Sequence, residues 1–374
     1  MVSTVFGHKT WFGNKSWFGH KSWRQGSETL LFGAIGGSLL GWYGMPAGYL
    51  TGALFAVAAA ALAGRQLSLP SWLTHIASAA IGTTLGSAIS PSMLHGMGTY
   101  PVSLTILLLS TIAVIAASAS YLRVVHKWDP LSAMLAATPG ALSQISLLAI
   151  QLKADFAGVA IAQIMRVVVM VAVLPLVLAL SGFAIGNGGR SPIVMAAPPS
   201  LALLVVVSLA VGYLLFRLRV PGGWMFGTML GSGLLHGFGA VEGGLPPVAV
   251  SLAMIGIGSI VGTRFTGLDL KTFVSYFAAG IGSLAVALTV MFAFLMLDHW
   301  LVGVRIQDAA MSFAPGGMDV MMTASLTMHL DPLFIGAHHL ARFLGVSLAI
   351  PFMVRRAAPK TATPPEEQMP ETEI

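Results

Sequence analysis

The sequence predicts an all-α polytopic membrane protein built from two tandem repeats of about six helical segments each. Three observations carry that prediction: composition, the length of the apolar blocks, and an internal duplication. Of 374 residues, 56% are hydrophobic and only 9% charged, against roughly 25% charged in an ordinary soluble domain. Mean hydropathy is +0.85, too apolar for a water-soluble globule of this size. The apolar residues fall in blocks near the ~20-residue length that spans a ~30 Å hydrocarbon core.

Along the chain the predicted segments run 29–44, 47–64, 72–92, 101–122, 131–152 and 156–182. The series restarts at 194–216, 222–240, 246–263, 272–297, 307–328 and 333–354. This divides the chain into a low-complexity cytoplasmic tail (1–28), repeat one (29–185), repeat two (194–356) and a polar, Pro-rich, disordered tail (357–374). The first tail repeats one hexapeptide three times, from Phe6, Phe12 and Phe18. It reads as an interfacial anchor or, preferably, as unstructured repetitive sequence.

A shift of 176 residues lays Thr138-Pro139-Gly140-Ala141 on Ala314-Pro315-Gly316-Gly317. The same shift superposes Asp155 on Asp331, Arg166 on Arg342, Pro175 on Pro351, Pro70 on Pro246, Gly82 on Gly258 and Gly86 on Gly262. With a one-residue slip, Pro46-x-Gly48-x-x-x-Gly52 matches Pro221-x-Gly223-x-x-x-Gly227. Loop charge bears on orientation, because Lys and Arg concentrate on the cytoplasmic side. Twelve full crossings strand Arg217, Arg219, Arg264 and Lys271 outside. A re-entrant 131–152 and its counterpart leave only Arg190 and Arg305 as exceptions, which favours inverted repeats with Pro-Gly-broken helices. The expected topology is multi-pass, with both termini cytoplasmic.

The Pro-Gly breaks are the first candidate site. Proline removes a backbone donor and glycine permits a sharp turn. The helix that restarts then offers free amides to an anion. Thr138, Pro139, Gly140, Ser143 and Gln144 in repeat one, and Pro315, Gly316, Gly317 and Asp319 in repeat two, are the candidate binding residues. An ordinary kink with capping side chains is the competing account. The second candidate lies on the last segment of each repeat. Arg166 and Arg342 sit mid-segment, where a charge costs roughly 2.5–3.5 kcal/mol and faces protein interior or water. His339, opposite Gln163, is added for its place between Asp331 and Arg342; Asp155 and Asp331 read as helix caps.

Other chemistries lack residues. The chain has no cysteine, and His338-His339 point about 100° apart, so no metal or other cofactor is expected. No hydrolase, kinase or dinucleotide fingerprint is present, and no catalytic residue is assigned. No soluble segment exceeds about 28 residues, too short for a helix-turn-helix reader of nucleic acid.

Both Pro-Gly segments with their downstream Asp and Arg, preceded by Pro-x-Gly-x-x-x-Gly, resemble the AbrB duplication family of bacterial membrane proteins over about residues 30–356. Members carry labels of ammonia monooxygenase or regulator of gene expression. The first label finds no metal constellation in these residues, and the second implies only an indirect effect. Repeat one departs from the pattern, with Ala141 for Gly and Ser143 where repeat two has Asp319. The expected function is a secondary transporter or exporter of a small anionic metabolite. A membrane sensor that binds without transport is the alternative, and a metal-dependent monooxygenase ranks last. Partners are then the lipid bilayer and a small anionic ligand, with a homo-oligomer left open.

Overall fold

A computed structural model describes residues 20–89, 98, 100–139, 142–181 and 195–357. The first two hexapeptides, the start of the third and the tail beyond Ala357 lie outside the described residues. Among those described are fourteen α-helices and one 3-10 turn, and no strand. Seven helices make the first half: α1 (His20–Trp42), α2 (Gly48–Leu62), α3 (Ser71–Ser87), α4 (Tyr100–Val125), α5 (Pro130–Ala137), α6 (Leu142–Gln151) and α7 (Phe156–Leu180). Seven make the second: α8 (Pro198–Arg217), α9 (Gly223–Gly237), α10 (Pro247–Gly262), α11 (Leu270–Val302), α12 (Ile306–Phe313), α13 (Met318–Thr327) and α14 (Pro332–Ala357).

Six of these are long and apolar enough to cross a bilayer: α4, α7, α8, α10 with its 3-10 extension to Phe265, α11, and α14 over Pro332–Ile350. Large apolar side chains point outward along them, among them Ile112, Val206, Phe292 and Leu348 at 58–74% exposure. Such a surface is tolerated in hydrocarbon and not in water. The chain is therefore a multi-pass membrane protein. Helix α1 begins at His20, inside the segment read as a tail, and α2, α3 and α9 are only 15–17 residues long.

The short helices pack across the halves as well as on their sequence neighbours. Helix α3 packs on α9, and α2 on α10. A Cβ placed on Gly82 would meet the Met225 carbonyl at 2.1 Å, and one on Gly258 would meet the Leu50 carbonyl at the same 2.1 Å. These are equivalent positions in the two repeats, so one close backbone contact is made twice. Without a hydrophobic force between helices in lipid, such small-residue approaches supply the packing. Helices α4 and α11, which are equivalents, run antiparallel. Ser103 Oγ donates to Asp298 Oδ2 at 2.9 Å, and Ser118 Oγ donates to the Ser283 carbonyl at 3.2 Å.

The segments 131–152 and 307–328 each fold as two short helices, and the Pro-Gly pair lies between them in the sequence. Their ends return to the same place. The Asp155 amide donates to Ser132 Oγ at 2.8 Å, and the Asp331 amide donates to Asp308 Oδ1 at 2.9 Å. Each pair is the other displaced by 176 residues, so each segment is a hairpin. Its outgoing arm is α5 or α12, and its returning arm α6 or α13.

Candidate functional site

The hairpins fix the site because helix α7 or α14 caps the end of each outgoing arm. Four C-terminal carbonyls of any helix lack intrahelical partners. In repeat one, Gln163 Nε2 donates to the Leu135 carbonyl at 3.1 Å and Arg166 Nη2 to the Ala136 carbonyl at 2.7 Å. In repeat two, His339 Nε2 lies 3.1 Å from the Met311 carbonyl, and Arg342 Nη1 donates to the Phe313 carbonyl at 3.1 Å. A guanidinium at a helix C-terminus also opposes the negative end of the dipole. Both arginines are buried, at 3% and 4% exposure, so their charge is held by carbonyls instead of water.

Histidine 339 is fixed as one tautomer. A carbonyl only accepts, so Nε2 carries the proton; Arg342 Nη2 then donates to the bare Nδ1 at 2.6 Å. Histidine 338 points elsewhere. Its Nδ1 meets the Phe334 carbonyl at 2.7 Å and its Nε2 meets Ser103 Oγ at 2.8 Å, tying α14 to α4. The two adjacent histidines thus serve different partners.

Beside these caps lies a cavity of about 170 Å³, lined from α7 by Gln163 and Arg166, and from α14 by His339 and Arg342. The break Pro315-Gly316-Gly317, the first residues of α13 (Met318, Asp319), and Arg264 close it. Three arginines and one aspartate thus line one space. Arg166 Nε has no acceptor among the described residues. Gly316 makes a tight turn, its amide on the Ala314 carbonyl at 2.8 Å, and a Cβ there would strike the Met321 side chain at 2.8 Å. Gly317 then caps α13 without a side-chain bond, its carbonyl accepting from the Val320 and Met321 amides at 3.2 and 2.9 Å, and Met318 and Asp319 of the first turn line the cavity.

Asp319 has a second aspect. It also lines a wider cleft of about 550 Å³ shared by α3, the end of α8 and the start of α9. There His75 stacks on Trp224, with ring centroids 5.6 Å apart, and Arg217 and Arg219 contribute cations. No ion pair or side-chain hydrogen bond to the Asp319 carboxylate forms among the described residues.

The structure thus brings together Arg166, Pro315, Gly316, Gly317, Asp319, His339 and Arg342. Thr138 and Pro139 are not part of the cavity. Thr138 is buried, and its hydroxyl bonds back to the Met134 carbonyl at 2.7 Å, finishing α5. Gly140 lies outside the described residues, as do the side chains of Ser143 and Gln144. Asp155 and Asp331 cap α7 and α14: Gly158 donates to the first, and Leu333 and Phe334 to the second. Asp155 also accepts from Tyr276 Oη at 2.6 Å. Arg264 escaped the sequence reading because it has no partner in repeat one, where position 88 is alanine. The signal available was its place directly after the Gly258-x-x-x-Gly262 packing motif.

The class that emerges is a multi-pass helical membrane protein made of two copies of one hairpin-bearing unit around a cationic internal cavity. The chain belongs to the AbrB family: a family model described as transition state regulatory protein AbrB matches residues 4–94 and 49–358, in two overlapping regions. It is similar to the uncharacterized protein YhjN of Bacillus subtilis (strain 168), at 24% identity over 352 residues, covering 85% of this chain and 89% of that protein.

Proposed function

We propose that the chain is a secondary transporter of a small anion, formed by inverted repeats whose re-entrant hairpins meet in the bacterial inner membrane. The observation that carries this is the cavity in which Arg166 and Arg342, one from each repeat, sit beside the first turn of α13. Helix N-termini and guanidiniums both favour negative charge. The ~170 Å³ of space equals about five or six water volumes at ~30 Å³ each. That suits an anion of a few heavy atoms and no drug-sized ligand.

Inversion is supported by the antiparallel α4 and α11, and by the exchange of α2 and α3 partners between the halves. Ten crossings plus two re-entrant hairpins place Arg65, Arg123, Lys127, Lys153, Arg217 and Arg219 on one side, with both termini. The ~550 Å³ cleft opens on that cytoplasmic side, and Asp319 is the wall it shares with the inner cavity. An effect on gene expression is then indirect, through the concentration of the transported anion. No catalytic step is assigned to the chain.

The test is flux in proteoliposomes containing the purified protein, with short mono- and dicarboxylates, phosphate and sulfate as labelled anions. Saturable uptake of one of them, abolished by Arg342→Ala, is the expected result. Binding without flux overturns transport and makes the protein a sensor.

A further inference from the structure

A groove on the outer surface lies between α4 and α14, away from the cationic cavity. Its floor on α4 is a stripe at helical spacing: Leu108, Ile112, Ile115, Ala119 and, at the end, Arg123. On α14 it is bounded by Gly345, Val346, Ala349, Phe352 and Met353. The volume is about 720 Å³, and the lining is almost wholly apolar. From Leu108 to Arg123 it runs about 22 Å at 1.5 Å per residue. That is half of a ~40–45 Å bilayer counted with its headgroups, so the groove has the length of one leaflet.

The Arg123 end joins a second pocket of about 490 Å³, which holds Lys127, Trp128 and Ser120. Ser120, Arg123 and Pro130 belong to both, so the two spaces adjoin. Lys127 is reached because the chain turns off α4 through a left-handed residue, φ 58°. Among the described residues neither cation forms an ion pair; the neighbouring acid in sequence, Asp129, has Oδ1 on the Leu131 and Ser132 amides at 3.0 and 2.9 Å.

We infer that this groove is a binding site for an anionic phospholipid, with an acyl chain along α4 and the headgroup phosphate between Arg123 and Lys127. Charge complementarity selects the headgroup, since basic residues at a helix end attract anionic lipid. The apolar length beyond selects a lipid over a free phosphate. Met134 of α5 also lines the groove, so the lipid touches the helix whose end Arg166 caps. The inference stands independently of transport.

The full chain, delipidated in detergent, is titrated with phosphatidylglycerol or with phosphatidylcholine of the same acyl chains, and bound lipid is counted by native mass spectrometry. One phosphatidylglycerol should be retained in preference to phosphatidylcholine. Arg123→Ala and Lys127→Ala should each weaken it about fivefold, and Ala116→Phe, which fills the groove without altering charge, should remove it. Thermal melting alongside confirms that each variant is folded. Equal retention of the two lipids, or indifference to both charge substitutions, overturns the site. Competition by inorganic phosphate as effective as by the lipid reassigns it to a free anion and overturns the lipid assignment.

Discussion

The Asp331 amide donates to the Asp308 carboxylate across 2.9 Å, closing the second hairpin at its base. Asp308 also accepts from Arg305 Nε, so one carboxylate holds both strands of chain entering and leaving. Repeat one uses the uncharged Ser132 for the same task. Asp308→Ala should lower thermal stability in detergent by about 1–3 kcal/mol, the cost of a buried donor left unpaired. Asp308→Ser, which restores the acceptor of repeat one, should recover part of it. A stability unchanged by Asp308→Ala would mean the hairpin base is held elsewhere.

Arg342 bonds both the Phe313 carbonyl and His339 Nδ1. Arg342→Ala should therefore reduce anion binding or flux by tenfold or more, given ~1.5–3 kcal/mol for a charged hydrogen bond. Arg342→Lys keeps the charge but not the fork, and should lie between alanine and wild type. Full activity in the lysine variant would show that charge alone matters.

Asp319 lines both the inner cavity and the cleft, and is the one acid in the cavity lining beside three arginines. Asp319→Asn should tighten anion binding, measured calorimetrically, while slowing net flux, because the bound anion then loses a repulsive neighbour. Weaker binding in this variant would count against Asp319 facing the ligand.

The paired glycines can be tested as a symmetric set. Gly82→Ala and Gly258→Ala each push a methyl group onto a backbone carbonyl at 2.1 Å, and each should cost about 1–3 kcal/mol. Gly237→Ala, where a Cβ meets nothing within 4 Å, should be neutral. Unequal losses at Gly82 and Gly258 would break the symmetry argument.

Because the chain has no cysteine, single cysteines report topology directly. Lys127→Cys and Lys153→Cys flank the first hairpin and should label from the same side of the membrane. Tags at residue 190 and at the C-terminus should report opposite sides. Labelling of the two cysteines from opposite faces would restore a full crossing there and remove the inversion.

Much of this was legible in the sequence for a physical reason. A bilayer imposes length and apolarity on every helix, and a duplication repeats the Pro, Gly, Asp and Arg that local backbone geometry requires. Membrane class, the two halves, the Pro-Gly breaks, and Asp155 and Asp331 as caps follow from those constraints. Which polar groups converge does not. Thr138 and Asp319 flank equivalent breaks, yet one hydroxyl turns back on its own helix while the other side chain lines two spaces. Arg264 lines the cavity from a turn whose equivalent position in the first half holds Ala88. Such meetings depend on the packing of helices from different halves, and side chains far apart in the chain carry no periodic signature of it. The sequence by itself determined that this is a duplicated membrane protein with broken helices. Only the tertiary structure decided that the arginines cap those breaks around one shared cavity, because a carbonyl's partner is chosen by the fold and not by spacing.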